Sequence, residues 1–420
     1  MQFSEYLTVI KALRNIIRAT EWEGHVYSVG GCERDRIANR EIKDIDIVVD
    51  TPNGGISFAK WLHENGMTTN EPVTYEHFGT AMFHLKDIPS IEVEAVQTRK
   101  ECYRDIESRD PETAFGTIED DCTRRDFTYN AIYYNISKDE TCDFNGHSLE
   151  DLRNNIIRTC GNPDVIFSED PLRILRAIRF QSRFGSTIDP DTYEGMKRNA
   201  ERLNIISRER VQKELDGILS SDNPDIGFKM LSDVGVLHII FPNFRTIDES
   251  SWNVFVDNYC KVIRKVNSRN PIINLAVLLR QSVDYLADLK SLKYSNDVID
   301  RVMFLRKCST YFPFSMKFAN VRKFHHQCGT FSNFIDVCTY MESEIKSEPI
   351  NDVRVLTANM IKNHISMFNY KLPVNGFDVM EVKGVESGKH VKDYLDLLLE
   401  VAYINPFLTK EECENILKAN

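Results

Sequence analysis

The chain has 420 residues, 42% of them apolar and 27% charged, with only 19 Gly and 14 Pro; this composition excludes a disordered or fibrous chain, and the length calls for more than one hydrophobic core. The formal net charge of −11 argues against a broadly basic surface for nucleic acid, yet residues 171–215 carry ten Lys or Arg against six Asp or Glu, a local +4 that permits a confined phosphate-binding face. No stretch approaches the roughly 20 apolar residues that cross a bilayer, the start MQFSEYLTVIKALRNIIRAT is charged throughout, and the ten cysteines include no C-x-x-C pair, so the chain is expected in the cytoplasm, off the membrane, with reduced thiols and no structural zinc.

From the N-terminus, HVYSVGG, DIDIVVD, GTAMFHL and IEVEAV read as short strands bounded by turns, and FTYNAIYYN as a further strand or a strand-helix edge. After residue 240 the only glycines are Gly329, Gly376, Gly384 and Gly388, and helical periodicity takes over in SWNVFVDNYCKVIRKV and VKDYLDLLLEVAY. Pro271, Pro313, Pro349 and Pro373 are predicted to fall between helices. The pattern implies an α/β start followed by a helical remainder.

The strongest local signal is Gly30-Gly31-Cys32-Glu33-Arg34-Asp35, followed by Asp44-Ile45-Asp46 at the head of Ile47-Val48-Val49. Alternate strand residues share a face, so Asp44 and Asp46 project together, about 7 Å apart, while Ile45 turns inward. Such a carboxylate pair suits hard divalent cations that complete their shells with substrate phosphates. Adjacent glycines let the backbone approach a phosphate closely.

Glycine pair, short spacer and D-x-D together resemble the DNA polymerase beta-like nucleotidyltransferase superfamily, and GGCERD…DIDIVV is similar to its class II tRNA nucleotidyltransferase and bacterial poly(A) polymerase branch. That branch usually has G-G-x-V-R-D, so Glu33 stands where Val is usual. The resemblance implies nucleotide-binding roles for Gly30, Gly31 and Arg34. Alternation also puts Glu92 and Glu94 on one face; Glu94 resembles the first residue of the family's E-V-x-T-x-R strand, which would make it a third catalytic carboxylate, the other reading being an ordinary wet strand face.

Asp121-Cys122-Thr123-Arg124-Arg125-Asp126-Phe127-Thr128-Tyr129-Asn130-Ala131 resembles the family's R-R-D-F-T-x-N-A motif. An Arg fork can hold phosphate oxygens and a carboxylate can accept from ribose hydroxyls; the resemblance assigns these roles to Arg125 and Asp126. Next, Pro171 suits the start of a helix on which Arg173, Arg176, Arg179 and Arg183 share one face and Ile174, Leu175, Ala177 and Ile178 the other. With Glu169 and Asp170 before it, this stretch resembles the family's E-D-x-x-R motif, so Glu169, Asp170, Arg173, Arg176 and Arg179 are expected at the nucleotide. A carboxylate accepting from an amino group and an arginine donating to a ring nitrogen fit both cytosine and adenine, while guanine and uracil present the reverse order.

Further on, Asp143-Phe144-Asn145-Gly146 through Arg158 and Ser207-Arg208-Glu209-Arg210-Val211-Gln212-Lys213-Glu214-Leu215 resemble the family's head-to-neck link and its E-R-x-x-x-E-L helix. The similarity in motifs runs from about residue 26 to 245; Leu372-Pro373-Val374-Asn375-Gly376 resembles a bacterial tail. Leu275–Leu279 continues into Arg280-Gln281, where a paired His-Asp of a metal-dependent phosphohydrolase domain would stand. The adjacent His325 and His326 diverge by about 100° on a helix and are not expected to share a metal.

The expected fold class is therefore α+β, with an N-terminal nucleotidyltransferase head holding a mixed β-sheet (1–140), a helical neck for base recognition (141–235), a helical body (236–345) and a helical, tRNA-binding tail (346–420). The resemblance implies template-independent addition of C-C-A to tRNA 3′ ends from CTP and ATP, with Mg²⁺ on Asp44 and Asp46; no protein partner is inferred. The alternatives are poly(A) synthesis, partial C-C or A addition, and a catalytically silent RNA-binding protein. His77-Phe78-Gly79-Thr80-Ala81 resembles the F-G-T-A of C-C-A-adding relatives and favours the first reading.

Overall fold

The computed structural model describes residues 3–76, 79–102, 112–245 and 248–420; His77 and Phe78 of the F-G-T-A motif lie outside them. The chain divides into two compact units, Met1–Glu214 with Met230–Ile239, and Leu215–Lys229 with Ile240–Asn420.

The first unit opens with α1 (Phe3–Ile17), then β1 (Val26–Val29), α2 (Gly31–Ile37), β2 (Ile45–Val49), α3 (Gly54–Glu64), β3 (Val73–Tyr75), β4 (Thr80–Leu85), β5 (Ile88–Gln97), β6 (Arg99–Cys102), β7 (Glu112–Phe115), α4 (Ile118–Thr123), β8 (Tyr133–Asn135) and β9 (Glu140–Cys142). Seven strands form one sheet in the order β3-β4-β5-β2-β1-β8-β9. It is mixed: β2 runs parallel to β5 and antiparallel to β1. A parallel neighbour needs a crossover, and α3 supplies it. It packs closely on the sheet because Gly55 lacks a side chain; a Cβ there would come within 2.6 Å of the Ala95 carbonyl oxygen. Tyr6, Leu13, Ile47, Phe58, Val93 and their neighbours are buried between sheet and helices, each large apolar side chain contributing about 1.5–3 kcal/mol of transfer free energy.

Of the two readings of FTYNAIYYN, a strand or a strand-helix edge, the structure takes the second. Thr128–Asn130 forms a 3₁₀ turn and only Tyr133–Asn135 is strand. The Thr128 hydroxyl donates to Asp151, so side-chain bonding holds the turn where β-propensity alone suggests extension.

The first unit continues through α5 (Ser148–Arg153), β10 (Ile156–Ile157), α6 (Pro163–Glu169), α7 (Leu172–Phe184), β11 (Thr187–Ile188), α8 (Pro190–Asn199) and the start of α9 (Arg208–Leu219). The helical stretch thus contains one two-residue parallel ladder, Ile156–Ile157 against Thr187–Ile188.

The second unit is helical, and SWNVFVDNYCKVIRKV and VKDYLDLLLEVAY lie in helices Glu249–Val266 and Lys389–Ile404. Pro271 and Pro349 do not fall between helices. They sit in the first turns of Pro271–Leu278 and Ser347–Lys362, where a missing N–H leaves no intrahelical bond unmade. His325 and His326 face different partners, the Thr357 hydroxyl at 2.8 Å and the Tyr403 hydroxyl at 3.0 Å. Arg280 ion-pairs with Glu344 at 3.5 Å and donates to Ser343. Among the described residues, no helix is long and apolar enough to cross a membrane.

Candidate active site

β1 is followed by Gly30, whose φ of +83° and ψ of −134° belong to backbone that only glycine adopts without strain. The chain then enters α2, whose first-turn N–H groups have no acceptors within the helix. A Cβ on Gly30 would lie 3.7 Å from both Asp46 Oδ2 and Arg125 Nη1. The bare face of Gly30 therefore looks onto one carboxylate oxygen and one guanidinium nitrogen.

Asp46 lies on β2 between the fully buried Ile45 and Ile47, and Asp44 immediately precedes the strand and is exposed. Across the parallel pair, Asp46 stands opposite Glu94. Glu92, two residues earlier on β5, faces His84 at 3.6 Å. Asp44, Asp46, Glu92 and Glu94 line a cavity of about 540 Å³. Burial, with Glu94 and Asp44 nearby, pushes the Asp46 carboxyl up to about 6, Arg125 acting in the opposite sense. Burial, Glu92 and Asp44 also raise Glu94. This is the electrostatic signature of buried acidic groups crowded together with too little counter-charge to offset their burial.

Among the described residues, no three His, Cys, Asp or Glu side chains are gathered tightly enough to hold a metal ion by themselves. Mg²⁺ is ordinarily bound by one or two carboxylates together with substrate phosphates, not by a complete protein cage. The donor set of Asp44 and Asp46, all hard oxygen and mutually repelling, fits that mode of binding.

Arg125 follows α4 and is fixed from behind. Its Nε donates to the Tyr133 hydroxyl at 2.9 Å, its Nη2 to Asp121 Oδ2 at 2.9 Å, and its guanidinium lies over the Tyr133 ring. Asp121 is fully buried; burial would raise its carboxyl, but Arg125 and Arg124 hold it down at about 2. Nη1 makes no hydrogen bond to a described residue and is the atom turned toward Gly30.

Asp126 joins the head to α7. Its Oδ2 accepts from Arg176 Nε and Nη2 at 2.9 and 2.7 Å, while Oδ1 accepts from the Phe127 N–H and from Asn130. Burial would raise its carboxyl, but Arg176 and Asn130 outweigh this and lower it. Arg34 is buried, with Nη1 on Asn130 Oδ1 at 2.8 Å and its other nitrogens on Asp35. In this arrangement it braces the turn after β1 against the R-R-D segment.

On α7, Ile174, Leu175, Ala177 and Ile178 are fully buried, and Arg173, Arg176, Arg179 and Arg183 lie on the outer face. Three of these arginines are already matched. Arg173 reaches Glu169 at 3.2 Å and the carbonyls of Ile166 and Arg124; Arg176 takes Asp126; Arg179 Nε lies 2.8 Å from Glu214. Asp170 has two partners: Oδ1 accepts from the Leu172 N–H at 3.1 Å, and Oδ2 from Arg210 Nη2 at 2.8 Å. Sequence reasoning placed Arg210 in the E-R-x-x-x-E-L helix but not on Asp170, because nothing local ties α9 to a carboxylate forty residues earlier.

Residues 26–158 match the poly A polymerase head domain, and residues 185–247 match the probable RNA and SrmB- binding site of polymerase A. The tRNA nucleotidyltransferase cca1 of Schizosaccharomyces pombe is 26% identical, over 97% of this chain and 93% of that protein. Residues 26–158 therefore belong to the poly A polymerase head-domain family, and the chain is similar along nearly its whole length to a tRNA nucleotidyltransferase. A second relative, the mitochondrial CCA tRNA nucleotidyltransferase of Saccharomyces cerevisiae, is 34% identical over 57% of this chain and 45% of that protein. The fold matches that of the Bacillus stearothermophilus CCA-adding enzyme solved in complex with CTP, with a TM-score of 0.72 over 99% of this chain and 97% of that one at 22% identity. Nucleotidyltransferases of this family generally use a divalent metal.

Proposed function

We propose that the protein adds C-C-A to tRNA 3′ ends from CTP and ATP without a nucleic-acid template. The observation that carries the reading is the convergence of Asp46 Oδ2 and Arg125 Nη1 on the bare face of Gly30, beside a cavity lined by Asp44 and Glu94. A negatively charged triphosphate needs donors on one side and cation-binding oxygens on the other, and this arrangement has both.

In this reading Asp44 and Asp46 would hold Mg²⁺, and the ion would supply positive charge to the primer 3′-hydroxyl and the pyrophosphate leaving group. Glu94 completes the acidic wall beside them. Arg125 and the backbone N–H groups after Gly30 and Gly31 orient the triphosphate for in-line displacement, and Arg34 keeps that turn in place. Asp126, kept ionised by Arg176, accepts from a ribose hydroxyl. Asp170 and Arg173 read the amino and ring-nitrogen edge that cytosine and adenine share, with Glu169 and Arg179 anchoring the two ends of that helix face. Arg210, more than half exposed on Asp170, is a partner that an incoming base can displace at little cost. Residues 1–140 form the catalytic head and 141–235 the base-reading neck; 236–345 and 346–420 form the body and tail that hold the tRNA by shape and backbone.

The rival reading within the family is poly(A) synthesis. Incubating the protein with tRNA lacking its last three nucleotides, with labelled CTP and ATP supplied singly and together, separates them. The expected result is incorporation of C alone, of A only after C, and then arrest. A lengthening tail from ATP alone establishes the rival.

A further inference from the structure

Two arginines near the candidate site have no carboxylate of their own. Arg40 and Arg183 make neither an ion pair nor a side-chain hydrogen bond with any described residue. Both guanidiniums lie over one ring, Phe184, at 4.1 and 4.9 Å from its centroid, and Arg34 lies over the same ring at 5.0 Å. Phe184 in turn stacks on Phe180 at 6.0 Å. The acidic group in the field of Arg40 is Asp35, whose two oxygens are already taken by Arg34. Burial, together with Arg34 and Arg183, makes Arg40 a harder group to keep charged than an exposed arginine. Like charges at such spacing repel, and the ring recovers only part of that cost.

Their placement identifies what would relieve the repulsion. Arg183 ends α7 and Arg40 follows the end of α2, the helices whose opposite ends carry Asp170 and Arg173, and Gly30 and Gly31. At 1.5 Å per residue, Arg183 is about 15 Å beyond Arg173, and α2 is about 10 Å long. A nucleotide seated at the beginnings of these helices would not place its own phosphates at their ends. The attraction of one cation to a helix C-terminus accounts for Arg183 alone and leaves Arg40 unexplained.

We propose that Arg40 and Arg183, gathered over the one ring of Phe184, clamp a backbone phosphate of the RNA strand being extended. Two planar guanidiniums collected at one ring present two forks to phosphate oxygens, and their stems are already ordered by the aromatic contact. The inference rests on the reading of the protein as an RNA-extending enzyme and adds the residues that grip the strand behind its 3′ end.

The test compares wild type with Arg40→Gln, Arg183→Gln, the double variant and the two Arg→Lys variants. The measurements are binding of tRNA lacking its 3′ end across a KCl series and KM for CTP. The double variant is expected to lose roughly 10-fold or more in tRNA affinity at low salt, and its slope of log K against log salt to flatten by about 0.7–0.9 for each phosphate no longer neutralised. KM for CTP should stay within about 2-fold, and the Lys variants should recover most of the slope. Unchanged tRNA affinity and slope in a cooperatively unfolding double variant would overturn the clamp. A raised KM for CTP with unchanged tRNA binding would overturn it in favour of the incoming nucleotide's phosphates. If the double variant does not fold, the single variants decide by the same two readouts. Failure of wild type to extend tRNA would instead reject the functional reading, and the binding slopes would still judge the clamp.

Discussion

Asp46 and Glu94 stand directly opposite each other on parallel strands β2 and β5. Burial and this carboxylate neighbour, with Asp44 close by, push the Asp46 carboxyl up to about 6. Native Asp46 therefore keeps its proton to a higher pH than the unfolded chain does, and the stability of the metal-free protein should fall as pH rises from about 4 to 6 and stay lower above that window. Asp46→Asn removes the charge. It is expected to be more stable than wild type above pH 6, by on the order of 1–3 kcal/mol, and to converge with it below pH 4. Urea unfolding at pH 4.5 and 7.5 without divalent cations checks the sign; a wild type that gains on the variant with rising pH contradicts it.

The same carboxylates are expected to carry the chemistry. Asp44→Ala and Asp46→Ala should each abolish nucleotide addition while leaving tRNA binding largely intact, since metal clamping is the main electrostatic contribution. In wild type, the Mg²⁺ concentration giving half-maximal rate should rise as pH drops below about 6, where protons compete for Asp46. Retention of more than a tenth of wild-type turnover by both variants is the outcome that removes this pair from the reaction.

Asp170 caps α7 through one oxygen and holds Arg210 through the other, so capping and base reading have to be separated by substitution. Asp170→Asn or Asp170→Ser keeps the cap. If the carboxylate reads the base, the CTP/UTP ratio of kcat/KM should fall by roughly 5- to 150-fold in Asp170→Ala, and also in the two capping variants. An unchanged ratio in Asp170→Ala excludes the residue from base recognition.

Glu33, standing where the family usually has Val, is fully buried and not idle. It accepts from Ser28 Oγ at 2.6 Å, Arg36 Nε at 2.7 Å and the Tyr6 hydroxyl, tying α1 and β1 to the helix that follows Gly30. Val there removes the buried carboxylate that Arg36 and two hydroxyls share, so Glu33→Val should cost about 3–5 kcal/mol. Adding Tyr6→Phe removes one orphan and should return about 1–3 kcal/mol of it. Denaturant midpoints of the two single variants and the double variant measure the coupling; purely additive losses would contradict the network.

The glycine turn, D-x-D, R-R-D and E-D-x-x-R segments were legible because each is a run of neighbouring residues whose spacing alone puts side chains on one face. The contacts that join them were not. Asp46 meets Glu94 only because a helical crossover makes β2 and β5 parallel neighbours, and Asp126 meets Arg176 across fifty residues. The resemblance gave Arg34 a nucleotide-binding role, but no spacing reveals that its side chain is buried on Asp35 and Asn130. The uniform charge of the α7 face was visible, but its neutralisation at three of four arginines by Glu169, Asp126 and Glu214 depends on packing. A 3₁₀ turn at Thr128 likewise follows from a bond to Asp151 that no periodicity reveals.

The most direct test is sequencing the 3′ ends of products made from tRNA lacking C-C-A, with CTP and ATP present, by wild type and Asp46→Asn in parallel. Wild type should yield ends in C-C-A with no further growth, and Asp46→Asn should return the tRNA unextended. Homopolymeric A ends from wild type, or C-C-A ends made equally well by Asp46→Asn, would contradict C-C-A addition at the Asp44–Asp46 site.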